Sequence, residues 1–189
     1  MMNEFKIIKN EEVTDELLDK VLEFDRTIFP EDDEYAFPDG YFRKLYKDNK
    51  EGMFVLLVNK NVIGYVNLIF ITDENKDEFL KTRNYLNLEQ TYFNVGDNNV
   101  YLYNLLVKEE YRDGIAIKYI MKEICVWLNE CMKQGRNIKY FFSEAVSEDG
   151  IKTLKAMDLK VQDVDELGLG IYYSDDNLIS YISKMLKNG

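Results

Sequence analysis

Between Val107 and Ala116 the chain reads Val-Lys-Glu-Glu-Tyr-Arg-Asp-Gly-Ile-Ala, and a strongly apolar stretch then runs from Ile115 to Met132. A polar turn that ends in glycine just before an apolar helix is suited to holding an anion. The first N–H groups of a helix lack intrahelical partners and carry partial positive charge, and a pyrophosphate accepts hydrogen bonds from them. Gly114 allows close approach of the backbone, Ala116 is too small to obstruct a ligand, and Arg112 offers a charge-assisted contact. The same residues also have a plainer reading. A glycine at a strand–helix junction often makes only a tight turn, and Arg112 equally suits a solvated pair with Glu109 or Glu110.

Histidine is absent. That excludes a histidine triad, a histidine metal site and a histidine base, and no metal is expected. Acid–base work falls to carboxylates, tyrosine, lysine, cysteine or water. Cys125 and Cys131 are the only cysteines. They sit on one predicted helix and face different sides of it, so they read as small buried hydrophobes in a reducing compartment, not as a disulfide. Gly168-Leu169-Gly170 precedes a strand rather than a helix and is no dinucleotide fingerprint.

With 24 basic and 35 acidic side chains the net charge is −11. A nucleic-acid partner needs a basic surface, and an anionic membrane repels an acidic one, so neither is expected. The charge weakly favours a cationic acceptor. No signal peptide is evident, and no apolar run approaches the ~18 residues of a membrane span. A cytoplasmic protein is expected.

The 189 residues suit one domain spanning 1–189. Phe5–Lys9 alternates as a first strand. Thr14 opens a helix whose apolar positions are Leu17, Leu18, Val21, Leu22 and Phe24. Pro30 and the acidic run Glu31–Glu34 end it. Pro38-Asp39-Gly40 is a turn signal, and Tyr41–Lys47 a short helix. Met53–Val58 and Val62–Ile71 form a hairpin about Asn59-Lys60-Asn61, and Gly64 inside it signals a bulge or a close backbone approach. Thr72–Gly96 is polar and poorly periodic, a helical or irregular insertion over a substrate cleft. Val100–Val107 is almost wholly apolar, as a central strand covered on both faces should be. The long helix ends at Gly135. Strand Ile138–Val146, helix Gly150–Met157 behind Ser147-Glu148-Asp149, strands Leu159–Val164 and Gly170–Tyr173, and helix Leu178–Leu186 behind Asp175-Asp176-Asn177 complete an α/β (α+β) domain with a mixed sheet.

This order and the segment Leu105–Ala116 resemble the GNAT superfamily of acyl-coenzyme A-dependent N-acyltransferases. That family carries a Gln/Arg-x-x-Gly-x-Gly/Ala loop between its fourth strand and the next helix. Gly114 and Ala116 match the spacing, while Arg112 falls one residue late and Tyr111 takes the first position. After the fifth strand the family often shows Asn-x-x-Ala-x-x-Leu-Tyr-x-x-x-Gly-Phe. Ser147–Leu159 keeps that architecture but replaces most of its residues, and Leu154 stands where a tyrosine often protonates the leaving thiolate.

The resemblance implies a splayed pair of central strands, with acetyl-CoA as acyl donor beside Leu105, Leu106 and Val107 and its pyrophosphate on Arg112, Asp113, Gly114, Ile115 and Ala116. Glu144 then lies where the fold opens to the acceptor, as proton acceptor or as structural anchor. Tyr103 and Asn104 sit beside the acyl site, where they orient the acceptor or serve only the structure. Tyr173 or Tyr172 replaces the missing thiolate acid or merely packs. The run Glu31–Glu34 lines an amine site or is a solvated loop. The implied activity is N-acetylation of a small-molecule or peptide amine by direct attack, by a monomer or homodimer. A catalytically degenerate acyl-CoA-binding or regulatory module on the same fold is the alternative, and an unrelated α/β protein a third.

Overall fold

A computed structural model describes residues 5–30, 33, 36, 40–46, 49–112, 114–174 and 177–187. The chain begins with strand β1 (Phe5–Lys9) and helices α1 (Asp15–Ile28) and α2 (Tyr41–Tyr46). The hairpin β2 (Met53–Val58) and β3 (Asn61–Ile71) follows, then α3 (Asp73–Thr82), β4 (Gly96–Val107), α4 (Ile115–Lys133) and β5 (Arg136–Ala145). The last elements are α5 (Glu148–Ala156), β6 (Lys160–Val164), β7 (Gly170–Ser174) and α6 (Asn177–Lys187). The strands form one seven-stranded sheet in the order β1-β2-β3-β4-β5-β7-β6. Only β4 and β5 pair in parallel, and α4 makes the crossover between them.

Local chemistry sets these elements. The Thr14 hydroxyl accepts the Leu17 N–H at 3.2 Å, with Asp15 and Glu16 at the positive end of α1. Asn59 and Lys60 take successive left-handed conformations, as a two-residue hairpin turn requires. Ser147 caps α5 by accepting the Gly150 N–H at 3.1 Å.

The sheet has two covered faces. Phe54, Val66, Leu68, Val100, Leu102 and Phe141 pack against Ile120, Ile124 and Leu128 of α4, with α5 and α6 on the same side. Met53, Val55, Tyr65, Ile69, Tyr101 and Phe142 pack against α1, α2 and Phe79 of α3. Double coverage explains why β3 is buried from Val62 to Ile71.

The expected insertion is more ordered than its composition suggests. Thr72 caps α3 by accepting the Asn75 N–H at 3.2 Å, and a 3₁₀ turn follows at Tyr85–Asn87. Its weak periodicity reflects a helix that buries one side chain, Phe79, against Tyr101 and Phe142. With α2, α3 and residues 86–92 frame a cleft of about 740 Å³. Strand β4 starts at Gly96, ahead of the apolar run, because the polar residues Asp97, Asn98 and Asn99 find backbone partners on the start of β5. The expected acidic run Glu31–Glu34, apart from Asp33, lies outside the described residues, as do Pro38, Asp39, Lys47, Asp175 and Asp176.

Candidate active site

The parallel pairing of β4 with β5 begins at Gly96–Arg136 and ends at Leu102–Ser143. Beyond that rung β4 stays paired with β3 through Val107, and β5 stays paired with β7 through Ala145. The two strands therefore diverge, and the β5-facing edge of β4 from Tyr103 onward is left without a strand partner. The cause lies in the β3–β4 register. Asn67 opposes Asn104 and Leu68 opposes Leu102, so Tyr103 is an extra residue in β4. A bulge of this kind bends a strand and places two successive side chains on one face. Tyr103 packs with the α1–α3 cluster, and Asn104 reaches the Tyr65 hydroxyl on that same side. At the apex the buried Ser143 hydroxyl donates to the Leu102 carbonyl at 2.8 Å.

Leu105, Leu106 and Val107 form the open edge. Gly64 of β3 lies on the opposite, paired edge of β4, and a Cβ added there would come within 2.6 Å of the Leu106 carbonyl oxygen. The close backbone approach expected at Gly64 is thus between β3 and β4, behind the gap, and the β2–β3 register also shifts beside it.

After Val107 the chain makes a 3₁₀ turn at Glu109–Tyr111 and reaches Gly114, whose φ of 92° is left-handed. Gly114 stands at the N-cap of α4 and, having no side chain, cannot cap it. A Cβ on Gly114 would meet nothing within 4 Å, so the space before the helix is open. Arg112 is exposed yet anchored, and among the described residues its ionic neighbour is Asp149 rather than Glu109 or Glu110. Its Nε donates to the Val107 carbonyl at 2.8 Å, and Nη1 lies 4.0 Å from Asp149 of α5. Ala116 is fully buried under the helix, Ile115 is exposed, and Asp113 lies outside the described residues.

The titratable groups gather on the α1–α3 face. Tyr103 and Glu144 are the first residues past the last paired rung, one on each strand. Burial raises the Glu144 carboxyl above the usual 4.5, against the opposing pull of Arg83. Arg83 is fixed by an ion pair with Asp163 of β6 at 2.6 Å. Burial and the neighbouring hydroxyls of Tyr41 and Tyr101 hold the Tyr103 phenol well above its usual range, so it is a neutral donor at physiological pH. Tyr41 links its hydroxyl to Tyr103 and to the Tyr85 carbonyl. Tyr173 sits one rung back, opposite Phe142, and stacks on Tyr140 at 5.5 Å, away from the gap. Tyr172 faces α4–α6 and donates to the Gly168 carbonyl at 2.8 Å. Leu154 is buried in the core, so no acid stands at that position. The structure thus brings Tyr103, Asn104, Glu144 and the Leu105–Val107 edge together and sets Tyr173 apart.

Composition and spacing missed a buried chain beside this site. The Tyr65 hydroxyl donates to Asp25 Oδ1, and Asn104 Nδ2 donates to the Tyr65 oxygen at 2.9 Å. Asp25 is 3% exposed. Burial pushes its carboxyl up, and the bond from Tyr65 opposes that shift. A signal was present: Asp25 continues the spacing of Leu18 and Val21, a carboxylate on an otherwise apolar stripe. Asn67, the register partner of Asn104, is fully buried, and neither atom of its amide is hydrogen-bonded among the described residues.

A family model for the acetyltransferase (GNAT) family matches residues 18–150, more than half of the chain. The chain belongs to the GNAT family. No curated protein matches it. Among solved structures it is similar to Arabidopsis thaliana Naa50 in complex with the bisubstrate analogue CoA-Ac-MVNAL. That pair has 16% identity and a TM-score of 0.59 over 90% of this chain and 98% of the other. The loading GNATL domain of CurA from Lyngbya majuscula has 12% identity and a TM-score of 0.65 over 92% and 98%. Mosquito arylalkylamine N-acetyltransferase like 5b has 12% identity and a TM-score of 0.60 over 91% and 100%. At such identities the likeness establishes the fold. No helix among the described residues is long and apolar enough to cross a membrane, and no group of metal-binding side chains occurs among them.

Proposed function

We propose that residues 1–189 act as one domain that transfers an acetyl group from acetyl-CoA to a small-molecule or peptide amine by direct attack. The observation that carries this reading is the wedge between β4 and β5, which leads to the start of α4 at a left-handed Gly114. The open space at Gly114 fits a pyrophosphate on the helix N–H groups. The unpaired edge Leu105–Val107 offers backbone groups for the pantetheine arm, and Gly114, Ile115 and Ala116 supply the first turn. Arg112 acts by holding the Val107 carbonyl at the start of the loop. Asp113 belongs to the same loop.

In the reaction a neutral amine attacks the thioester carbonyl, and a backbone N–H of Leu106 or Val107 stabilises the developing oxyanion. Glu144, with its raised affinity for protons, takes the proton from the ammonium form directly or through water. Tyr103, a neutral phenol whose proton is engaged with Tyr41, helps to orient the acceptor, and the departing thiolate takes its proton from water. Tyr173 stands too far down the sheet to be first choice and lines the acceptor side. Similarity to enzymes named for a peptide-like bisubstrate and for arylalkylamines supports an amine acceptor.

Calorimetric titration with acetyl-CoA, and with CoA as comparison, tests the donor site, and thiol release with an amine panel tests turnover. Micromolar binding and release of CoA are expected. Absence of binding by a protein shown to be folded would sink the reading. The buried Leu154 favours a second reading, a module that binds acyl-CoA without turnover. Binding with no thiol release across the panel would select it.

A further inference from the structure

The chain Asp25–Tyr65–Asn104 has a direction. A phenol has one proton, and Tyr65 spends it on the Asp25 carboxylate. Its oxygen is left as an acceptor, and only the NH₂ end of the Asn104 amide can donate to it. The Asn104 amide is therefore not free to turn over. Its NH₂ is committed inward, and its Oδ1 is left over. That oxygen makes no hydrogen bond among the described residues and is not one of the buried unpaired atoms, so it opens to solvent. Asn104 is the residue after the bulge, where the gap begins. Both inner members are enclosed, Asp25 at 3% exposure and Tyr65 at 0%, so water does not compete for these bonds.

We propose that Asp25 and Tyr65 are positioning residues that fix the Asn104 amide with its oxygen outward, so that this end of the gap accepts an N–H from the acceptor amine. The inference rests on the amine-acetylation reading for its purpose, and on geometry alone for the chain. It makes the acceptor a hydrogen-bond donor at the attacking nitrogen and disfavours oxygen nucleophiles such as alcohols, whose single proton is better spent on the base.

Phenethylamine with acetyl-CoA, followed by thiol release on the full chain, is the probe. Tyr65→Phe should raise KM for the amine about tenfold with kcat within twofold. In an Asn104→Asp background, where an oxygen faces outward whichever way the side chain turns, Tyr65→Phe should leave KM within twofold. An equal rise in both backgrounds would mean that Tyr65 acts only structurally, and no rise in either would mean that the orientation is irrelevant; each overturns the proposal. Tyr65→Phe strands a buried carboxylate, so Asp25→Asn, which keeps the shape and removes the charge that directs the chain, is the companion variant. It should show the same rise in KM and the same rescue. A measurement independent of turnover separates this proposal from the function. The Asn104 side-chain NH₂ resonances in a ¹⁵N spectrum should shift in Tyr65→Phe and Asp25→Asn. Unmoved resonances refute the chain whatever the activity, whereas shifted resonances in a protein that acetylates no amine uphold the chain and refute the function.

Discussion

The two faces of the sheet are built differently. Against α4, α5 and α6 the buried side chains are almost all apolar, from Phe54 and Val66 to Ile124 and Leu128. Against α1, α2 and α3 the buried set includes Asp25 and Asn67, with the hydroxyls of Tyr46, Tyr65 and Tyr101. Burying polar groups gains little stability and loses much when a partner is missing. The first face accordingly holds the fold, and the second carries the proposed chemistry at a cost in stability. The strand they share, β4, changes character at Tyr103: paired on both edges before it, open on one edge after it.

The sharpest way to break this contrast is to hollow out the apolar face. Leu128→Ala should destabilise by about 2–5 kcal/mol in chemical denaturation, while acetyl-CoA affinity measured well below the midpoint stays within twofold. On the other face Glu144→Gln should lower kcat by about a hundredfold or more and move the melting temperature little. Its pH dependence has a definite sign. A base works deprotonated, so the native rate should fall as pH drops through a pKa raised above 4.5, and this acid limb should vanish in the variant. Gly114→Val should weaken acetyl-CoA binding at least tenfold in calorimetry. The open space before α4 leaves the fold only the strain of a left-handed β-branched residue, about 1–2 kcal/mol. The smallest expected effect is a gain. Asn67→Leu replaces two unpaired buried polar atoms with carbon and should stabilise by about 1 kcal/mol. A loss of stability there would show that the amide is satisfied and that the contrast between faces is overdrawn.

Much of the scaffold was legible because its signals are local. Phe5–Lys9 and Met53–Val58 read from alternation and apolar runs at their observed bounds, and Thr14, Ser147 and Gly135 mark helix ends by the chemistry of caps. The glycine of the Gly114 loop announced its position. What the sequence concealed is non-local. The Tyr103 bulge exists only as a mismatch between β3 and β4, and nothing in Leu-Tyr-Asn-Leu states it. The chain from Asp25 to Asn104 joins α1, β3 and β4 across the fold. The sequence offers Arg112 a phosphate or a surface carboxylate, whereas its guanidinium holds a backbone carbonyl that no side-chain pattern records.

The Ser143 hydroxyl at the apex has a kinetic meaning. Where two strands part, the last carbonyl would ordinarily seek the next N–H across the seam, and pairing would creep forward. Ser143 of β5 donates to that carbonyl of β4, so the last rung of the seam is held by a side chain rather than by a further backbone pair. A slot held open in this way is preorganised. Under the proposed function a donor enters it with no strand separation to drive, which leaves its arrival to diffusion and spares its affinity the opening of a sheet.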